Sequence, residues 1–180
     1  LKEKVMDDAR TYFNDETMDK LDNIIQPHTL GIESTDFSEV KYGERKNIIF
    51  NHRGQHYMGW GWFCKAMDEL WKRRQDFKVL TFQRDANGVK YPWTDYQSPL
   101  NLNRDDYFKR MKQDGYIGVG CFTSSKGGGG ASWSISITDL LSLGVPCVLP
   151  NKFVYPSLVG DNYPLLYKSQ NQDEFLTQIE

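Results

Sequence analysis

The chain has 180 residues, a length that fits one domain at the usual one to two hundred residues each, so a two-domain enzyme would be present here only in part. Hydrophobic residues make up 39% and charged residues 26%, a globular composition that excludes disordered and collagen-like chains and supplies roughly 70 residues for a core. Lys plus Arg number 22 against 24 Asp plus Glu, and the net charge of −2 excludes the broad basic face of a domain that grips nucleic-acid phosphates while leaving room for a local basic groove.

Residues 1–42 differ in character from the rest. VMDDARTYFNDETMDKLD (5–22) predicts one helix or two short ones, and IIQPHTLGIES (24–34) predicts an extended segment around Pro27 and Gly31. This stretch is either an extension packed on a sheet or the tail of an upstream domain joined by a linker. The opening Leu1 points to processing or to a fragment.

From Gly43 onward strand-like runs alternate with amphipathic helical stretches, the signature of βαβ units and a parallel sheet. NIIFNH (47–52) predicts a strand. WGWFCKAMDELWKRRQ (60–75) predicts a helix with Phe63, Met67, Leu70 and Trp71 on one face and basic residues in its last turn. FKVLTF (77–82) is the next strand, and residues 83–102, with Asn87-Gly88, Pro92 and Pro99, read as a long loop. Asn103 then caps a helix that runs to about Lys112.

YIGVGCF (116–122) is a third strand and SSKGGGGAS (124–132) a glycine loop. SISITDLLSLG (134–144) is a helix closed by Gly144, followed by the buried strand VPCVLP (145–150). PLLY (164–167) makes a fifth strand and QDEFLTQIE (172–180) a terminal helix. The fold class predicted is α/β, a Rossmann-like open parallel sheet with helices on both faces, whose ligands sit at the carboxyl ends of the strands near the switch point.

No apolar run approaches the roughly 20 residues needed to cross a bilayer, and no secretory leader pattern opens the chain, so a soluble, cytoplasmic protein is expected. Cys64, Cys121 and Cys147 are odd in number and set in apolar or strand-like surroundings, which predicts three reduced, buried thiols rather than a disulfide framework or a zinc site.

The richest segment is GGGGASWSISITDLLSLGVPCVLP (127–150), a glycine loop feeding a helix start. Backbone N–H groups at such a start carry positive partial charge and suit a phosphate, and glycines let a ligand approach the main chain. Gly130, Ser132, Trp133, Ser134 and Ile135 are therefore candidate binding residues, and Asp139 is a candidate acceptor for the two hydroxyls of a ribose. A flexible surface loop beside a solvated aspartate is the competing reading. A second segment, FNHRGQHYMGWGW (50–62), puts His52, Arg53 and His56 at a strand end, where the two His and the Arg form a candidate anion site with Arg53 foremost. The competing reading is a surface turn with a solvated Arg; a metal on His52 and His56 lacks a third ligand at a suggestive spacing. Trp60, Trp62 and Trp71 are expected to pack in the core. No G-x-S-x-G elbow, glycosidase-like carboxylate pair or dinucleotide glycine fingerprint is present.

This order of elements, with the NHR strand end and SISITDLLSLGVPCVLPN, resembles the C-terminal, nucleotide-sugar-binding half of retaining GT-B glycosyltransferases. IIFNHR and NKFVYPSLVGDNYPLLYKSQNQDEF (151–175) are similar to the branch that glycosylates modified tRNA nucleosides, the queuosine mannosyltransferase-like proteins. Aligning Gly144-Val145-Pro146 with the family's turn places Asp139 at the acidic position that holds the donor ribose, and Ala131 where the family has a Glu that contacts the donor sugar. Arg53 matches the Arg of the family's pyrophosphate clamp, and no Lys follows it at the family's spacing.

The resemblance implies a UDP- or GDP-sugar as donor, its pyrophosphate stabilised by Arg53 as the catalytic residue and by the helix start, without an obligatory metal. It implies that residues 1–42 are the tail of an upstream domain plus an interdomain linker and residues 43–180 the donor-binding domain, with an N-terminal acceptor-binding domain in the same or another chain. A non-catalytic assembly module with a degenerate GT-B domain, and an enzyme acting on a modified nucleoside in tRNA or DNA, stand as alternatives.

Overall fold

The computed structural model describes residues 14–24, 47–52, 58–82, 89–96, 102–121 and 134–180. A first helix, α1 (Asp15–Ile24), belongs to one compact unit, Leu1–Gly31. Asn14 accepts from the Thr17 N–H at 3.0 Å and so caps α1, whose first turn carries Asp15 and Glu16, the sign its positive end favours.

The second unit, Ile32–Glu180, contains every other described element. These are β1 (Asn47–Phe50), α2 (Trp60–Arg73), β2 (Lys78–Thr81), β3 (Thr94–Tyr96), α3 (Arg104–Asp114), β4 (Ile117–Val119), α4 (Ile135–Ser142), β5 (Cys147–Pro150), α5 (Tyr155–Val159), β6 (Leu166–Tyr167) and α6 (Gln172–Ile179). The strands form one six-stranded sheet in the order β3-β2-β1-β4-β5-β6, every neighbouring pair parallel. The expected α/β, Rossmann-like open sheet is the fold.

Strand alternation divides the core in two. Ile48 and Phe50 point to one face with Val79, Val119 and Val148, where they meet Phe63, Met67 and Leu70 of α2 and Phe175 and Leu176 of α6. Ile49, Leu80, Cys147 and Leu149 point to the other face and meet Phe108 and Met111 of α3, Ile137 and Leu140 of α4, and Tyr155 of α5. All four residues of β1 are buried, as a central parallel strand covered by helices on both sides requires. Trp60 belongs to the first cluster and Trp62 and Trp71 pack against it, as expected for core indoles. All three cysteines are free thiols and buried.

Local signals account for the helix ends. Asn103 Oδ1 accepts from the Asp106 N–H at 2.8 Å, the cap expected for α3, which runs one residue pair beyond Lys112. At the far end of α4, Gly144 takes φ 76°. That conformation lets the Gly144 N–H reach the Leu141 carbonyl at 3.0 Å and the Val145 N–H reach the Leu140 carbonyl at 3.0 Å, a Schellman closure.

Two elements correct the sequence reading. The stretch expected to be a loop over residues 83–102 contains β3, so the sheet has six strands rather than five. β3 exists because it pairs with β2 in the register Val79↔Thr94, Leu80↔Asp95, Thr81↔Tyr96, and because the preceding Trp93 is fully buried with its indole N–H on Asp68 Oδ1 at 2.8 Å. The second addition is the short helix α5 after β5. Its Tyr155 is fully buried, and the α5 residues Leu158 and Val159 pack on the second core cluster.

Candidate functional site

The chain leaves β1 toward α2 on one face and leaves β4 toward α4 on the other, although β1 and β4 are neighbours. Adjacent strands whose connections diverge leave a crevice beyond their carboxyl ends, the usual ligand position in an open α/β sheet. Asn51 and His52 follow β1 directly into this region, Gly120 and Cys121 follow β4, and Ser134 stands at the start of α4.

His52 is only 3% exposed, and its Nε2 lies 3.1 Å from the Val119 carbonyl. A carbonyl only accepts, so Nε2 carries the hydrogen and the ring ties the end of β1 to that of β4. Burial pushes its pKa down to about 4, an effect the Val119 bond opposes only in part. At neutral pH the imidazole is uncharged, and it packs edge-to-face with Phe50, ring centroids 5.2 Å apart. His52 thus serves in this geometry as a strand-end tie rather than as a positive charge for an anion.

Backbones approach closely around it. Gly59, at φ 79°, precedes α2 so near to Cys121 that an added Cβ would stand 2.7 Å from the Cys121 carbonyl oxygen. A Cβ on Gly120 would stand 2.9 Å from Leu149 Cδ2 and 3.2 Å from the Tyr155 hydroxyl. The Gly120 carbonyl accepts from the Tyr167 hydroxyl at 3.0 Å.

The start of α4 is held by a polar side chain from the end of β1, which is itself held from α3. Asn51 donates its side-chain amide to the Ser136 carbonyl at 3.2 Å, and its Oδ1 accepts from the Tyr107 hydroxyl of α3. Ser134 is buried and makes no side-chain cap for α4. Thr138 Oγ1 turns back onto the Ile135 carbonyl at 2.8 Å. Ile135 itself is 60% exposed, an apolar side chain presented to solvent on the first turn.

Asp139 lies one turn further along. Burial pushes its carboxyl up and the positive charge of Arg104, at the start of α3, holds it down. Tyr107 faces the same carboxylate, and burial first and that negative charge second push the phenol well above its ordinary value, so it stays protonated. Of the residues expected to bind a ligand, the structure therefore brings His52, Ser134, Ile135 and Asp139 to one end of the sheet. Arg53, Gly130, Ser132 and Trp133, together with His56 and Ala131, lie outside the described residues. Asn51, Tyr107 and Arg104 were not among the expected binding residues; the only advance signal was the place of Asn51 in the NHR strand end. No cluster of three or more metal-ligating side chains occurs among the described residues. No helix among them is long and apolar enough to cross a membrane.

No family model matches the chain, and no curated protein matches it. Among solved structures it is similar to OtsA in its apo form, with a TM-score of 0.54 and 11% sequence identity over 78% of this chain. The match spans 36% of the OtsA chain. OtsA is a GT-B glycosyltransferase, and the likeness is one of fold alone.

Proposed function

We propose that this chain is the donor-binding part of a glycosyltransferase that transfers a sugar from a UDP- or GDP-sugar to an acceptor held by a second domain. The observation that supports this most is the convergence at the switch point of the β1 end, the first turn of α4 and the half-buried Asp139. The fold-level likeness to a GT-B glycosyltransferase supports the same reading.

In this proposal the nucleotide's ribose hydroxyls donate to the Asp139 carboxylate, whose two oxygens suit a diol. The diphosphate lies toward the start of α4, where the partial positive charge of the helix end favours an anion. Arg53 supplies the full positive charge. Its guanidinium stabilises the negative charge that grows on the leaving diphosphate as the sugar–oxygen bond breaks, with retention at the anomeric carbon and no metal required. The uncharged His52 keeps β1 and β4 in register behind the site. Residues 1–42 join this donor-binding part, 43–180, to the acceptor-binding domain.

Calorimetric titration with UDP, GDP and their sugars tests the reading on the chain as it stands. Binding is expected without turnover, and Arg53→Ala or Asp139→Ala is expected to weaken it roughly ten- to hundredfold, the usual range for a charge-assisted hydrogen bond. If a folded chain binds no nucleotide at millimolar concentration, the reading is wrong. Unchanged affinity in both variants would instead favour a module that kept the fold without the donor site.

A further inference from the structure

The groups that contact a ligand directly do not explain why Asn51 and Tyr107 are where they are. Asn51 is 8% exposed, immediately after the central strand, and both ends of its carboxamide are engaged across long stretches of chain. The amide reaches Ser136 on α4, 85 residues away, and the oxygen receives the hydroxyl of Tyr107 on α3, 56 residues away. A buried polar side chain that satisfies two partners on two different helices fixes their depth and rotation relative to the strand, because each partner loses a hydrogen bond if either helix slides.

Only a group that both donates and accepts fits this position. An ionised carboxylate accepts from Tyr107 but faces the Ser136 carbonyl lone pairs with negative charge; an aliphatic side chain serves neither. Tyr107 is constrained in turn. Its single proton goes to Asn51 and so is not available to the Asp139 carboxylate. The Asp139 oxygens are thus kept from being capped by this neighbour, and Ser136, whose carbonyl Asn51 holds, lies only three residues before Asp139 on the same helix.

We infer that Asn51 and Tyr107 are a positioning pair: through Ser136 they set the first turn of α4 against the end of β1, and so hold the Asp139 carboxylate open and in place for the hydroxyls of a bound nucleotide. The inference rests on the donor-binding reading above and adds to it two residues that touch no ligand.

The test compares UDP and GDP with their 2′,3′-dideoxy counterparts, so that the contribution of the ribose hydroxyls is read as a ratio of affinities, with thermal melting followed in parallel. In the native chain the ratio is expected to be tenfold or more for whichever nucleotide binds better. In Tyr107→Phe it is expected to fall at least threefold at a temperature where melting shows the variant to be fully folded, a change that simple destabilisation does not produce. Asn51→Asp serves as the second variant. At pH 7.5 it is expected to bind at least tenfold more weakly than the native chain. At pH 5.5 part of that deficit is expected to return, since a protonated carboxyl donates to Ser136 and still accepts from Tyr107, and burial raises its pKa toward that range. A Tyr107→Phe chain with the native ratio, or an Asn51→Asp deficit that does not vary with pH, overturns the positioning role while leaving the donor site standing. A native chain that binds neither UDP nor GDP overturns both.

Discussion

His52 makes the stability of the fold depend on pH in a defined direction. Its pKa is about 4 in the folded chain against 6.5 for an ordinary histidine. Between these values the unfolded chain carries a proton that the folded chain refuses, so acidification favours unfolding. The contribution of His52 to stability is fully present above pH 6.5, declines as pH falls, and is exhausted near pH 4. Linkage across this gap amounts to about 2 kcal/mol lost by pH 5 and about 3 kcal/mol by pH 4, or a fall in melting temperature of roughly 4–8 °C at pH 5. His52→Gln removes the titration and retains an N–H for the Val119 carbonyl. Urea unfolding at pH 7, 6, 5 and 4 should therefore show a stability curve for the variant that is flatter than the native one by this amount. Carboxylates and the remaining histidines titrate in both chains and cancel in the difference. Parallel curves would show that His52 is solvated in the folded chain and would refute the burial argument.

Two further outcomes follow from the same end of the sheet. Gly59→Ala must hold an L residue at φ 79° with its Cβ 2.7 Å from a backbone oxygen of Cys121. The left-handed conformation costs about 1 kcal/mol and the overlap about 1–3 kcal/mol, so a loss near 3 kcal/mol is expected as a lower urea midpoint at constant slope, and a loss below 1 kcal/mol would be incompatible with the close approach. The cysteines should be silent to a thiol reagent at pH 8 until the chain unfolds, because all three are buried and burial pushes Cys147 up to about 12 and Cys121 higher still. Stoichiometric labelling of the folded chain within minutes would contradict this.

How far the sequence carried depended on whether a signal was local. The Ile48–Phe50 run, the Phe63, Met67, Leu70 face of α2, the Asn103 cap and the Gly144 stop are each written within a few residues, and each is found where it was read. β3 was not legible, because Thr94-Asp95-Tyr96 is a short, half-polar edge strand whose existence depends on pairing with β2 and on the anchoring of Trp93. Asp139 was singled out by its place after the helix start and by the family resemblance aligned on Gly144-Val145-Pro146. The Asn51, Tyr107 and Arg104 environment was not, since it forms only when the topology folds α3 and α4 onto the end of β1.

The position of β1 in the middle of the sheet also leaves one of its edges unpaired until a strand later in the chain arrives. Ile48 pairs with Val79 on one side and with Ile117 on the other. A chain emerging from the ribosome has the β3-β2-β1 half complete once Tyr96 has appeared, yet the free edge of β1 is then its fully buried Asn47–Phe50 segment. Until β4 is synthesised and docks, that edge is an apolar template for any other extended chain. Truncated forms ending between Tyr96 and Ile117 leave that edge unpaired and are expected to aggregate more readily than the full chain.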